Sequence, residues 1–233
     1  MMHNGNIGHY KKNSKIFKSF IGSFGLFGII LEVELILKKI KSQNLLLSTF
    51  AIGKYSEIKK FLNKKTEFKY MQIDPFFREN TLGIVFTANF SENKANLYKS
   101  INFEVNLIDI LIFKFSSLFL NLFSWKIFYK FFIFFNRNIN KELDIHNFFY
   151  SSKYKHLVPY LCKNGLTDYE ILLKYNKLMK VLSKIKKLIL ENRLYPIYVI
   201  IKKLHKSKNK YFYSFNENGY SIAIAFDNKN LSN

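Results

Sequence analysis

Three glycines, Gly22, Gly25 and Gly28, punctuate the run FKSFIGSFGLFGIILEVELILKKI between Phe17 and Ile40. Bare backbone lets a ligand or another segment come close, because no Cβ is in the way. A phosphate loop would open a helix. Here an apolar run follows, predicted as a strand over Ile29–Lys38, and the plainer reading is a tight turn before a buried strand. Asp168 and Glu170 stand two apart in LTDYEILLK, which sets both carboxylates on one face of a predicted strand. They can accept hydrogen bonds from sugar-like hydroxyls; the plainer reading is a solvated outer face. Lys202 and Lys203 are neighbours in PIYVIIKKL, so they point to opposite faces and only one can look inward. The histidines, His3, His9, His146, His156 and His205, show no ligand spacing. Cys162 is the only cysteine, so neither a thiolate metal site nor a disulfide framework is predicted.

The chain has 233 residues, enough for one large domain or two small ones, and 48% of them are hydrophobic, which supports a real core. The formal charge of +21 suggests nucleic acid or an anionic membrane. Only Arg78, Arg137 and Arg193 among the 37 basic residues are arginine, and Phe, Tyr, Lys, Ile and Asn are raised together, as an AT-rich coding sequence would produce. Nucleic-acid sites favour the bidentate arginine fork, and no recognised nucleic-acid motif is present, so no specific nucleic-acid partner is expected. The N-terminal MMHNGNIGHYKKNSK lacks a signal-peptide core.

The positioning elements follow from hydrophobic period. Leu45–Ile52 reads as a buried strand, Lys54–Lys64 as a helix presenting Ile58, Phe61 and Leu62, Phe68–Asp74 as a strand closed by Pro75, and Thr81–Phe90 as another strand. The order then returns: strand Leu166–Lys174, helix Tyr175–Glu191, strand Pro196–Leu204, a lysine-rich turn at His205–Lys210, and strand Tyr220–Phe226. The helix stripe is Leu178, Val181, Leu182, Ile185, Leu188 and Ile189. Two βαββ halves are expected to pair into one antiparallel sheet with helices on one side. Between them, Leu107–Phe135 is the most apolar stretch. Asp109, Lys114, Lys126 and Lys130 interrupt it, and no charge-free part reaches the ~20 residues of a spanning helix. Buried helices or a hydrophobic lid is the plainer reading; a helix lying on a membrane is the sharper one.

The glycine run resembles the last core stretch of the flavin-binding domain of the FAD-linked oxidases, the superfamily of vanillyl-alcohol oxidase and the aldonolactone oxidases. The pattern there is Gly-Gly-x-Gly-Leu-x-Gly-Ile-Ile before a strand; this chain has Gly22, Gly25-Leu26 and Gly28-Ile29-Ile30. The segments FKYMQIDPF, LFLNLFSWKIFYKFF, KNGLTDYEILL and VIIKKLHKSKNKYFYSFNENGYSIAIAF resemble, in order, those of the oxidase-subunit family of decaprenylphosphoryl-ribose 2-epimerase. The resemblance covers nearly the whole chain at low identity. It implies an α+β protein: residues 1–42 end a PCMH-type FAD-binding domain, and residues 43–233 form a substrate (cap) domain with a mixed antiparallel sheet of two βαββ halves. A hydrophobic, aromatic-rich helical insertion occupies 101–150.

It further implies that Gly22, Ser23, Phe24, Gly25, Leu26, Gly28, Ile29 and Ile30 face FAD. Lys203 falls on a strand lysine that faces substrate over the flavin, where it would act catalytically by holding a phosphate or steadying negative charge. Asp168, Glu170, Ser221 and Ala223 fall on substrate-facing positions where the family usually carries amides, Asn and Cys; carboxylates there would repel a phosphorylated substrate. The loops that cradle the FAD pyrophosphate would precede Met1, and the family's closing Tyr and Lys would follow Asn233. The chain is therefore expected to be a fragment, a misassigned frame or one piece of a split enzyme. It would not retain FAD alone and would need a separately encoded flavin-domain half.

Two functions of different class are set against each other. One is a partial FAD-dependent oxidoreductase acting on a sugar alcohol, an aldonolactone or a lipid-linked sugar. The other is a non-catalytic membrane-surface or partner-binding protein that uses the basic, aromatic middle. The expected location is cytoplasmic, with peripheral contact at the inner face of the membrane.

Overall fold

The computed structural model describes residues 4–77, 82–92, 107–119, 121–150, 158–206 and 211–228. Thr81, residues 101–106 of the expected insertion and residues 207–210 of the expected lysine-rich turn lie outside the described residues. The chain divides into two compact units. One comprises Met1–Lys39 with Leu204–Gly219; the other comprises Ile40–Lys203 with Tyr220–Asn233.

The larger unit holds β1 (Asn44–Ile52), α2 (Tyr55–Asn63), β2 (Phe68–Ile73), β3 (Gly83–Phe90), α3 (Leu107–Leu118), α4 (Leu122–Asn136), β4 (Asn140–Asp144), α5 (Ile145–Tyr150), β5 (Leu166–Leu173), α6 (Leu178–Glu191), β6 (Tyr198–Leu204) and β7 (Gly219–Asp227). Helix α1 (Lys15–Phe20) belongs to the smaller unit. The strands make a seven-stranded sheet in the order β4-β1-β3-β2-β6-β7-β5. Each βαββ half places its third strand between the other two, and the halves meet through their second strands, β2 and β6. That antiparallel seam pairs Met71 with Ile201 and Gln72 with Ile200.

Strand alternation divides the side chains between two faces. On one face, Met71, Ile73, Val85, Ile201, Ile222 and Ile224 pack with Ile58 and Leu62 of α2 and Leu178 and Leu182 of α6. Both helices therefore lie on the same side, as their stripes predict. Burying a side chain such as Leu182 contributes about 1.5–3 kcal/mol relative to leaving it exposed. The α6 stripe is narrower than its period suggests: Leu188 is 57% exposed, while Val181 and Ile185 are partly buried against the core. Helix α2 begins where the Glu57 carboxylate accepts from the Gly53 and Lys54 backbone amides at 3.0 and 3.1 Å.

The opposite face is covered as well, which corrects the one-sided expectation. Ile133 of α4 and Phe148 of α5 pack on Leu45, Leu47, Ile84, Phe86 and Ala88. Beside them, Trp125 and Tyr129 of α4 join Phe76, Leu161, Cys162, Ile189 and Tyr195. Trp125 Nε1–H donates to the Pro196 carbonyl, and the Tyr129 hydroxyl donates to the Ile197 carbonyl at 3.2 Å. Helix α4 starts at a capping box: the Asn121 side chain accepts from the amides of Phe123 and Ser124, and the Ser124 hydroxyl accepts from the Asn121 amide. An inward stripe on α4 supplies the second layer that the period-two strands require.

In the smaller unit the predicted strand Ile29–Lys38 is not formed; residues 28–40 belong to no helix or strand and their apolar side chains, from Ile29 to Leu37, are exposed. A β pattern becomes a strand only when a neighbouring strand accepts its backbone bonds. None pairs with this run among the described residues.

Candidate functional site

The strongest grouping of the predicted site residues lies at the β5 end of the sheet. Asp168 pairs with Ala225 and Glu170 with Ala223, and Ser221 pairs with Leu172. Alternation puts Asp168, Glu170, Ser221 and Ala223 on one face. On β6, Tyr198 shares that face, and its hydroxyl donates to Asp168 Oδ2 at 2.7 Å. The Ser221 hydroxyl donates to Glu170 Oε1. Ser221 and Ala223 are buried and form a floor, whereas Asp168 and Glu170 are exposed. Burial, then the hydrogen bond to Asp168, holds the Tyr198 phenol above its usual range, so it remains a proton donor.

Each carboxylate is thus held through one oxygen by a hydroxyl. An ionised carboxylate has about four lone-pair sites, so both have capacity to accept from further hydroxyls. Ala223, opposite Glu170, is buried beneath the carboxylates. Tyr198 was not singled out from sequence. The available signal was its parity with Lys202 on a strand and its place across from the carboxylate strand.

Lys203 lies elsewhere. It shares the α2–α6 face with Val199 and Ile201, its Nζ donates to Asn63 Oδ1 at 2.5 Å, and it sits 5.5 Å from the centre of the Tyr175 ring. A lysine on that face cannot meet a ligand held by Asp168 and Glu170 across the sheet. The neighbour on the carboxylate face is Lys202, which is exposed.

The glycine segment belongs to the smaller unit and is described by itself. Ser14 caps α1 by accepting from the Phe17 amide at 3.1 Å, and a series of turns follows. Ser23, Gly25, Gly28, Ile29 and Ile30 line, with Phe20, a depression of about 330 Å³. The other expected residues do not: Phe24 is fully exposed and Leu26 is 81% exposed. Gly22 has a packing reason to be glycine, since a Cβ there would lie 2.6 Å from the Tyr213 carbonyl oxygen. Gly25 has φ +81°, and a Cβ there would meet nothing within 4 Å, so its backbone borders open space. The depression stands at the lower end of the roughly 300–1,000 Å³ of small-molecule sites. Its lining offers bare backbone at Gly25 and Gly28 and apolar side chains at Phe20, Ile29 and Ile30.

Two buried groups complete the chemistry. Asp74 accepts from the Phe76 amide at 2.8 Å, and burial raises its carboxyl to about 6 against the pull of Lys186 and Lys130. The Cys162 thiol is buried and pushed up to about 12 by burial, then by Asp227, which makes it a poor nucleophile. Among the described residues, no group of three or more His, Cys, Asp or Glu could hold a metal ion. No helix among them is long and apolar enough to cross a membrane. No family model matches the chain. No curated protein matches it in sequence.

Proposed function

We propose that this chain is the substrate-binding part of an FAD-dependent oxidoreductase acting on a sugar alcohol, an aldonolactone or a lipid-linked sugar. The observation that carries the reading is the convergence of Asp168, Glu170 and Ser221, joined by Tyr198, on one sheet face. Asp168 and Glu170 would accept from substrate hydroxyls, and Tyr198 and Ser221 fix their orientation. Lys202, on the same face, would donate to a substrate hydroxyl or carbonyl oxygen. Bound FAD supplies the hydride acceptor for a C–H bond beside a hydroxyl. Ser23, Gly25, Gly28, Ile29 and Ile30 would hold part of it through backbone.

A single wall offers little preorganisation, so a flavin-domain partner is part of the proposal. The test mixes the purified chain with the flavin domain of an FAD-linked oxidase and reads flavin retention, then reduction by a panel of polyols and lactones. Retention only in the mixture, lost in Gly25→Val, supports the cofactor assignment. Reduction whose KM rises about tenfold or more in Asp168→Asn with Glu170→Gln, kcat changing less, supports the carboxylate assignment. No flavin retention in the mixture overturns the reading.

A further inference from the structure

Helix α4 is apolar on two opposite sides. Trp125, Tyr129 and Ile133 repeat at every fourth position and are buried against the chain's own core. Phe123, Phe131, Phe134 and Phe135 follow the opposite side at helical spacing and stay 56–72% exposed. On α3, Leu111, Phe115 and Leu118 are 55–71% exposed. A helix that is hydrophobic all round needs cover on every side, and among the described residues the chain supplies it on one.

Charge says what the cover is. From Leu107 to Arg137 the sequence has a single acidic residue, Asp109, against Lys114, Lys126, Lys130 and Arg137. The α4 lysines lie at the border between the buried and the exposed stripes. The Arg137 guanidinium lies 4.7 Å from the ring centre of Phe134 on the exposed ridge, whereas Lys126 Nζ lies 5.8 Å from that of the buried Phe76. Aromatic rings flanked by cations match an acyl layer beneath anionic headgroups. Helices of 12 and 15 residues are too short to span the ~30 Å of a bilayer core and suit its interface.

We infer that the exposed faces of α3 and α4 dock this protein on an anionic lipid surface, with the phenylalanines among the acyl chains and the lysines at the headgroups. This stands on the helices alone and is independent of the redox reading.

The test incubates the full chain with vesicles of phosphatidylcholine alone, or of phosphatidylcholine and phosphatidylglycerol in equal parts, and measures co-sedimentation. Binding is expected to the mixed vesicles. It should fall about tenfold in a Phe123→Ser, Phe131→Ser, Phe135→Ser variant and in a Lys114→Glu, Lys126→Glu variant. Trp125 is the only tryptophan and faces inward, so unchanged emission certifies that a variant is folded. If the triple variant fails that check, Phe131→Ser alone replaces it, with at least a twofold loss expected. Undiminished binding by folded variants overturns the inference, as does equal binding to phosphatidylcholine alone. Conversion of an oligomer to a monomer by the phenylalanine changes, with vesicle binding intact, would assign the ridge to a second copy and also overturn it.

Discussion

The two βαββ halves use the same face of the sheet in opposite ways. In the first half that face carries Leu45, Leu47, Ile84 and Phe86, closed over by α4 and α5. In the second half the corresponding strands carry Asp168, Glu170, Tyr198 and Ser221. The face under α2 and α6 shows no such contrast, since both helices pack on one continuous apolar layer. The difference follows the cover that each half receives on that face. The apolar half of that face lies under α4 and α5, and on the polar half Asp168 and Glu170 are exposed.

The largest effect should come from forcing the first half to resemble the second. Ile84→Asp places an unpaired carboxylate where the side chain is 0% exposed, and about 3–5 kcal/mol or more of stability should be lost. Urea unfolding would show a soluble variant with an unchanged midpoint if the contrast were superficial. On the shared face, Leu182→Ala should cost about 2–5 kcal/mol by the same measurement.

Asp74 gives a pH-dependent effect of the next size. Its folded value of about 6 lies above the ordinary 3.8, so the folded state binds the proton more tightly. Its contribution is present below pH 4 and lost as pH rises through about 6, a span of roughly 2–3 kcal/mol. Asp74→Asn should flatten stability between pH 4 and 7, and a variant whose curve keeps the wild-type slope there would rule out this source.

The smallest changes belong to the polar half. Ser221→Val and Tyr198→Phe each delete one hydrogen bond to an exposed carboxylate, so about 0.5–1.5 kcal/mol is expected in calorimetry. A loss as large as that of Leu182→Ala would make these groups structural.

The elements that alternate or repeat at helical spacing were legible: β1, α2, β2, β3, β5, α6, β6 and β7. The apolar middle was legible as helical as well, and forms α3 and α4, whereas β4 owes its form to a partner distant in sequence. Strand β4, NKELD, has no apolar pattern and exists through its ladder with β1, aided by the Asn44 side chain donating to Glu142 at 3.1 Å. The run Ile29–Lys38 has the pattern without the ladder. The carboxylate pair was visible because strand parity is local, and Tyr198 was not, because its bond to Asp168 crosses 30 residues. Lys203 shows the limit of parity, which separates two neighbours without saying which one faces a ligand.

The seam between β2 and β6 has a thermal consequence. Its register pairs only Met71 with Ile201 and Gln72 with Ile200, whereas β1 and β3 share eight pairs. The halves are held together chiefly by the apolar layer across the seam and only slightly by backbone hydrogen bonds. Hydrophobic attraction fades on cooling while the ladders inside each half keep their bonds. The sheet is therefore weakest in the cold along the line where its two halves meet, and there each half would open as a unit with its own strands intact.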